Sequence, residues 1–375
     1  MRYPDYDRGT LSITASILNY YGLETGYPTL PEIDKALESK PRNILLVLLD
    51  GMGENLLRRK LKADDFIVRH DAAAISAVFP STTTAATTSL WTGLSPLEHG
   101  WLGWSLYFKE AGRMVDTFIN RDSFTRDEYT ATNLGITYMP LPSTFDRLRG
   151  KVETHAVFPF PSYSTQGVDH PHVAADFADQ AKIAVDVCNK PGNHFMVIYN
   201  GEPDHTMHEK GVECPETQAN FERLNRLVEN MCAQLDGDTQ VILTADHGLI
   251  DVTEMVELTD YPELIECLWM PTSVEMRAAA FYVKPHKREQ FEREFKKICG
   301  DDFLLLTREE VLKTNLLGRG TVHKKSDDFM GDYMACATGT RYLHYNTPAS
   351  KPVSLIGQHA GLTEDEMTVP VVLFR

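Results

Sequence analysis

Four short stretches of the chain end in acid and imidazole groups that folding alone does not call for. They are LLVLLD closing at Asp50, GEPDHTMH with Asp204 and His208, LTADHG with Asp246 and His247, and GQHAG with His359. Asp204 and His208 are four residues apart, one turn if the segment is helical, so both side chains reach one ion from the same side. His359 completes that set and leaves a position open for water or substrate. Asp246 and His247 are adjacent and would normally diverge, but at a strand end turning into Gly248 both can swing toward a second ion that Asp50 also reaches. Oxygen and nitrogen donors without thiolate suit Zn²⁺ or Mn²⁺, and three imidazoles favour zinc.

The run STTTAATTS from Ser81 adds hydroxyls. Ser81 to Thr84 read as the N-cap of a helix through AATTSLWTG. A threonine there sits where free backbone N–H groups and the helix dipole favour a phosphoryl oxygen, and a bound cation lowers its hydroxyl pKa. Each piece also has an ordinary use, as a turn former, a cap or a surface histidine; their joint occurrence is what points to a site.

The elements that must position these groups follow from hydrophobic pattern. Residues 43–49 form an almost unbroken aliphatic run ended by Asp-Gly, which reads as a strand buried on both faces of a parallel sheet, and the pattern recurs at 194–200 and 240–244. Between the last two, Phe221, Leu224, Val228, Met231 and Leu235 recur at helical spacing behind Pro215. Strand, helix, strand implies an α/β fold with a doubly wound, mostly parallel sheet flanked by helices. In such sheets ligands bind beyond the carboxyl ends of the strands, so Asp50, Asp204 and Asp246 are expected to meet there.

Residues 260–325 break the pattern with a strand-like AAAFYVK, an amphipathic helix near 288–299, then FLLLT and TREEVLK. They read as a small inserted α/β cap on a catalytic domain made of 1–259 and 326–375. Residues 107–171, rich in aromatics, Pro and Thr, are expected to supply part of the substrate wall. His170 and His172, beside Asp169, form a His-x-His pair that could touch a third metal or the substrate, although the segment reads as a loop on the cap side. His205 should point away from its two neighbouring ligands, and His323, beside Lys324 and Lys325, belongs to a solvated charge run.

The chain has 375 residues and a formal charge of −16, with 42% hydrophobic and 24% charged residues. This is ordinary globular composition for one large domain with an insertion, or two domains. The acidic balance, with no basic stripe, argues against binding a nucleic-acid polymer. The longest aliphatic run, 44–49, is far too short to cross a bilayer. The start, MRYPDYDRGTL, offers neither a basic leader nor an apolar core, and six scattered cysteines read as reduced thiols. A cytoplasmic enzyme without membrane attachment is the expectation.

FPSTTTAATTSLWTGLSPLEHG, EPDHTMHEKG, TADHG and GQHAGLTEDEMTVP together resemble the alkaline phosphatase superfamily, most closely its type I phosphodiesterase and nucleotide pyrophosphatase branch. The resemblance implies a first metal on Asp204, His208 and His359 and a second on Asp50, Asp246 and His247. The family nucleophile lies nine positions before the Thr of a Thr-Gly pair, so Thr92-Gly93 designates Thr83, which would also bind the second metal; Thr82 and Thr84 are the alternatives. Thr84 and Trp104 are the suggested substrate contacts. Trp104 marks a departure, since the branch commonly places an Asn a few residues past a His-Gly turn and this chain has Trp there after His99-Gly100.

The implied activity is hydrolysis of a small phosphate ester or nucleotide-type substrate by two divalent cations, through a phosphothreonine. Three aspartates and an alkoxide roughly balance two divalent cations, and no arginine lies within the matched motifs, which favours a singly charged diester or pyrophosphate over a monoester dianion. A metal-dependent phosphomutase or phosphomonoesterase is the alternative within the superfamily, and a metal-binding scaffold without catalysis the alternative outside enzymes. Sulfatase chemistry is disfavoured because the nucleophile run holds no cysteine.

Overall fold

In a computed structural model of the chain, residues 1–128, 132–140, 142–160, 165–349 and 355–375 are described. A seven-stranded sheet runs in the order β2 (Asp71–Ser76), β18 (Thr368–Phe374), β9 (Thr239–Thr244), β1 (Asn43–Leu49), β8 (His194–Asn200), β6 (Glu153–Phe158) and β7 (His170–Val173). β9, β1, β8, β6 and β7 are parallel, whereas β18 lies antiparallel to both β9 and β2. β1, β8 and β9 are buried along their whole length, as unbroken aliphatic runs at the centre of a parallel sheet should be. Helices flank the sheet. Helix Pro215–Cys232 packs against helix Phe177–Cys188, and helix Thr10–Tyr20 against helix Thr83–Thr92. The doubly wound, mostly parallel α/β fold expected from the sequence is thus the fold observed.

A second sheet of seven strands runs in the order β14 (Phe303–Thr307), β15 (Tyr333–Ala337), β13 (Ala278–Phe281), β12 (Ser273–Val274), β3 (Ser105–Phe108), β4 (Arg113–Asp116) and β5 (Arg121–Asp122). Segment 260–325 therefore supplies β12, β13 and β14, while β3 to β5 and β15 come from outside it. Antiparallel pairing of β15 with both β13 and β14, and of β12 with β3, merges three distant stretches into one layer. Two ribbons, β10 (Ile250–Asp251) with β17 (Gly357–Gln358) and β11 (Glu254–Glu257) with β16 (Arg341–His344), connect this layer to the loops beyond the main sheet. His170 and His172 sit on β7, an edge strand of the main sheet, and not on a cap-side loop. An edge strand tolerates Pro171, which cannot donate to a ladder on both sides. Parts of the anticipated substrate wall, 129–131, 141 and 161–164, lie outside the described residues.

The two layers are tied by an ion pair with no solvent exposure. Arg277, just before β13, donates from Nε and Nη2 to the two carboxylate oxygens of Glu366, each at 2.8 Å. Arg277 also donates to the carbonyls of Arg341 and Gly339, and Glu366 accepts from the Gly361 amide and the Thr363 hydroxyl. Every donor and acceptor is engaged, the condition under which a buried pair holds; removing one partner strands the other charge. Glu366→Ala should therefore cost about 3 to 5 kcal/mol in chemical denaturation. A loss below about 1 kcal/mol, the range of an exposed pair, would show that the two layers do not depend on it.

Candidate metal and phosphoryl-transfer site

Asp50 follows β1, Asp204 lies just beyond β8 at the start of helix Asp204–Lys210, and Asp246 follows β9. The parallel register brings these strand ends together, and the expected groups converge there. Gly51 makes the first turn possible. It has φ +73°, and a Cβ on it would stand 2.6 Å from Leu249 and 3.0 Å from the Cβ of Asp204.

His247 Nε2 is 3.4 Å from Asp50 Oδ1 and 3.6 Å from Asp246 Oδ2. His208 Nε2 is 3.3 Å and His359 Nε2 3.9 Å from Asp204 Oδ1. The His247 and His359 rings stack at 3.8 Å. Donor atoms of Asp50, Asp246 and His247 lie within 4.8 Å of one another, and so do those of Asp204, His247 and His359, so His247 stands between two pockets of ligand atoms. His359 arrives on a loop whose next residue, Ala360, has φ +87°. Ala360 stands beside Gly361, the amide held by Glu366.

Two features show that these residues fit cations. Each imidazole contacts a backbone carbonyl through Nδ1, His208 with Gly357 at 2.7 Å, His247 with Gly248 at 3.2 Å and His359 with Ser81 at 3.0 Å. That contact fixes the proton on Nδ1 and leaves the Nε2 lone pair facing the cluster, the orientation a metal ligand needs. Second, Asp50 Oδ1, Asp204 Oδ1 and Asp246 Oδ2 are buried without a hydrogen-bond partner. Burial, reinforced by the neighbouring Asp246, pushes Asp50 well above the carboxylate range. Burial does the same to Asp204, and raises Asp246 to about 6. Burial also holds His247 down to about 3 and, with His247 and His208 nearby, keeps His359 neutral. Neutral imidazoles beside carboxylates that resist ionisation form a site completed by positive charge.

Thr83 is the first residue of helix Thr83–Thr92. Its Oγ1 lies 3.4 Å from Asp50 Oδ2 and 3.3 Å from His247 Nε2, at the edge of the cluster. Thr84 is fully buried and is not among the residues that line the adjoining cavity. Thr82 is the N-cap, but its hydroxyl donates to Glu275 Oε1 at 2.7 Å and accepts no bond from the helix N–H groups. The cavity, roughly 450 Å³, is lined by Thr83, Trp104, Arg126, His208, Glu275 and His359 among others. Trp104 forms a wall, its ring stacked on Phe118 at 6.0 Å, while its backbone N–H donates to Glu275 Oε1 at 2.7 Å.

Sequence reasoning missed three groups here. Tyr199 donates to Asp50 Oδ2 at 2.5 Å from the end of β8, where nothing in an apolar run singles it out. Arg126 brings a guanidinium into the cavity from outside the motifs, although its charge is engaged by Asp116 at 2.9 Å. Glu275 comes from the expected cap and is aimed by an unusual backbone. Val274 has φ +77°, a costly conformation for a β-branched residue, and Gly103 lets it approach so closely that a Cβ there would stand 2.7 Å away.

The sequence profile of the type I phosphodiesterase / nucleotide pyrophosphatase family matches residues 44–360. No curated protein sequence matches the chain significantly. Among solved structures, murine ectonucleotide pyrophosphatase / phosphodiesterase 5 superposes with a TM-score of 0.64 at 17% identity, over 88% of this chain and 87% of that one. An inactive form of that enzyme, solved in complex with AMP, superposes at 0.64 and 16% identity, with the same shares covered. Phosphonoacetate hydrolase from Sinorhizobium meliloti 1021, in complex with phosphonoformate, superposes at 0.65 and 18% identity, over 89% of this chain and 90% of that one. At such identities the likeness is one of fold.

Burial raises the Glu275 carboxyl from 4.5 to about 7 against the lowering effect of Thr82 and the Trp104 amide. Between those values the folded chain keeps a proton that the unfolded chain has lost. The contribution of Glu275 to stability is thus complete below about 4.5 and disappears as pH rises through about 7. Urea midpoints of metal-free protein should fall across that window, and Glu275→Gln should flatten the fall; an unchanged slope would place this carboxyl at its ordinary value.

Proposed function

Because the chain belongs to the type I phosphodiesterase / nucleotide pyrophosphatase family of phosphoester hydrolases, we propose that it cleaves a phosphodiester or pyrophosphate bond in a small, nucleotide-type substrate, with Thr83 as nucleophile. The observation that carries this reading is the Thr83 hydroxyl within 3.4 Å of both Asp50 and His247 at a helix N-terminus. Asp50, Asp246 and His247, with Thr83, would hold one divalent cation, and Asp204, His208 and His359 the other. Zinc suits this donor set best and manganese second. When bound, the cations supply Lewis-acid charge that lowers the hydroxyl pKa and balances charge developing on the phosphoryl group.

The Thr83 hydroxyl gives its proton to Asp50, the acceptor it faces, and Oγ1 attacks phosphorus while the bond to the leaving-group oxygen breaks. The leaving oxygen takes up a proton from solvent, giving a phosphothreonine and a released alcohol or phosphate. Water then attacks the same phosphorus and loses a proton to solvent, the bond to Oγ1 breaks, and Oγ1 takes back the proton held by Asp50. The first N–H groups of helix Thr83–Thr92 would face the phosphoryl oxygens, and the Trp104 ring, backed by Phe118, offers a stacking wall for a base. The segment around 260–325 acts in this reading as a cap that brings Glu275 over the nucleophile. Six unpaired cysteines support a cytoplasmic setting. Among the described residues no helix is long and apolar enough to cross a membrane.

With Zn²⁺ or Mn²⁺ present, bis-p-nitrophenyl phosphate and a nucleoside-monophosphate p-nitrophenyl ester should turn over at least about tenfold faster than p-nitrophenyl phosphate. Thr83→Ala should lose about a thousandfold or more in kcat while Asp50, Asp246 and His247 still retain their cation. A Thr83→Ala protein of near-normal rate would end the role of Thr83. Preference for the monoester would end the diesterase assignment and leave the phosphomonoesterase one.

A further inference from the structure

At the opposite end of the main sheet stands a second concentration of imidazoles that the proposed reaction does not use. Glu153 and His194 are the first residues of β6 and β8 and pair across the ladder, as His155 of β6 pairs with His170 of β7. The period of two along a strand puts Glu153 and His155 on one face, and the register adds His170 and His194 to it. This cluster is separated from Asp50 by about 20 Å, the length of β8 at about 3.3 Å per residue.

The carboxylate of Glu153 is the hub. Its Oε1 lies 2.7 Å from His170 Nε2 and 3.7 Å from His155 Nε2, and its Oε2 lies 3.6 Å from His194 Nδ1. Donor atoms of Glu153, His155 and His170 fall within 4.8 Å of one another. His155 is oriented from behind, its Nδ1 3.4 Å from His172 Nε2, which leaves Nε2 directed at the hub. His155 and His194 have only 8% and 4% of their side chains exposed, and His155 Nε2 and both ring nitrogens of His194 have no hydrogen-bond partner. Burial, with His170 and His194 adding to it, holds His155 down to about 4, so its imidazole is neutral at ordinary pH. Buried ring nitrogens without partners are costly. A cation beside Glu153 that takes the lone pairs of His155 Nε2 and His194 Nδ1 satisfies those two together.

We propose that Glu153, His155, His170 and His194 bind one divalent transition-metal ion of the zinc class, at a site separate from the phosphoryl-transfer centre. Three imidazoles and one carboxylate without thiolate match Zn²⁺ and its neighbours and do not suit Mg²⁺ or Ca²⁺. The half-exposed Glu153 and His170 give the ion its way in. Because its ligands come from three neighbouring strands, the ion clamps edge strand β7 to the sheet.

The test uses the full chain, loaded with Zn²⁺ and passed through gel filtration in metal-free buffer, its zinc content measured against protein. The double variant Glu153→Gln, His170→Ala changes only side chains that are about half exposed, and should keep its hydrolytic rate within about twofold. It should retain one equivalent of zinc per chain less than the unsubstituted protein. Equal zinc content in the two would overturn the proposal. So would a zinc content in His155→Gln, a second variant at the buried ligand, equal to that of the unsubstituted protein.

Discussion

Three carboxylates cannot share a buried pocket as anions unless something positive joins them. Asp50, Asp204 and Asp246 are driven toward their neutral forms by burial, to which neighbouring carboxylates add at Asp50 and Asp204, and one oxygen of each has no partner within the protein. Any cation that enters restores their charge and satisfies those oxygens in the same event, so metal binding and carboxylate ionisation become a single equilibrium. The imidazoles are prepared for that event from the other side. Their Nδ1 protons are held by backbone carbonyls, and the lone pairs of His247 and His359 are kept free by the same burial that disfavours the carboxylate charge.

The main sheet collects the ligands, but the second layer completes the site. Arg277 and Glu366 join the start of β13 to the turn before β18, and Glu366 also holds the amide of Gly361, two residues from His359. One buried ion pair thus reaches from the packing of the layers to the placement of a ligand. Glu275 stands in the same layer and reaches back to Thr82, next to Thr83, the proposed nucleophile.

What could be read from the chain alone follows from where local pattern decides structure. Buried parallel strands are unbroken apolar runs, so the ends of β1, β8 and β9 were legible to within a residue, and with them the meeting of Asp50, Asp204 and Asp246. The second sheet was only partly legible. β13, β14 and helix Arg288–Cys299 carry clear patterns, but β15, which pairs with both strands, and β3, which joins them through the two-residue β12, lie outside the segment, and no local signal declares antiparallel pairing across such separations. Glu275 and Arg126 were invisible for the same reason, since each enters the cavity through long-range packing. β7 was hidden by its own composition, because His-Pro-His resembles a turn until an edge position is available to it.

The start of helix Thr83–Thr92 shows how the two layers act on one residue. A threonine at an N-cap ordinarily turns its hydroxyl to the exposed N–H groups of the first turn, an interaction typically worth about 1 kcal/mol. Thr82 occupies that position and makes no such bond; its hydroxyl is turned to Glu275 instead. The helix therefore begins with open N–H groups beside the Thr83 oxygen, and Thr83 itself, at the first helical position, is directed to Asp50 and His247. Local stability is given up at the point where an anion would be received, and the strained Val274 that aims Glu275 gives up more of it. Both departures from good folding chemistry converge on the same few ångströms, where a phosphoryl group would accept the bonds that the protein leaves unmade.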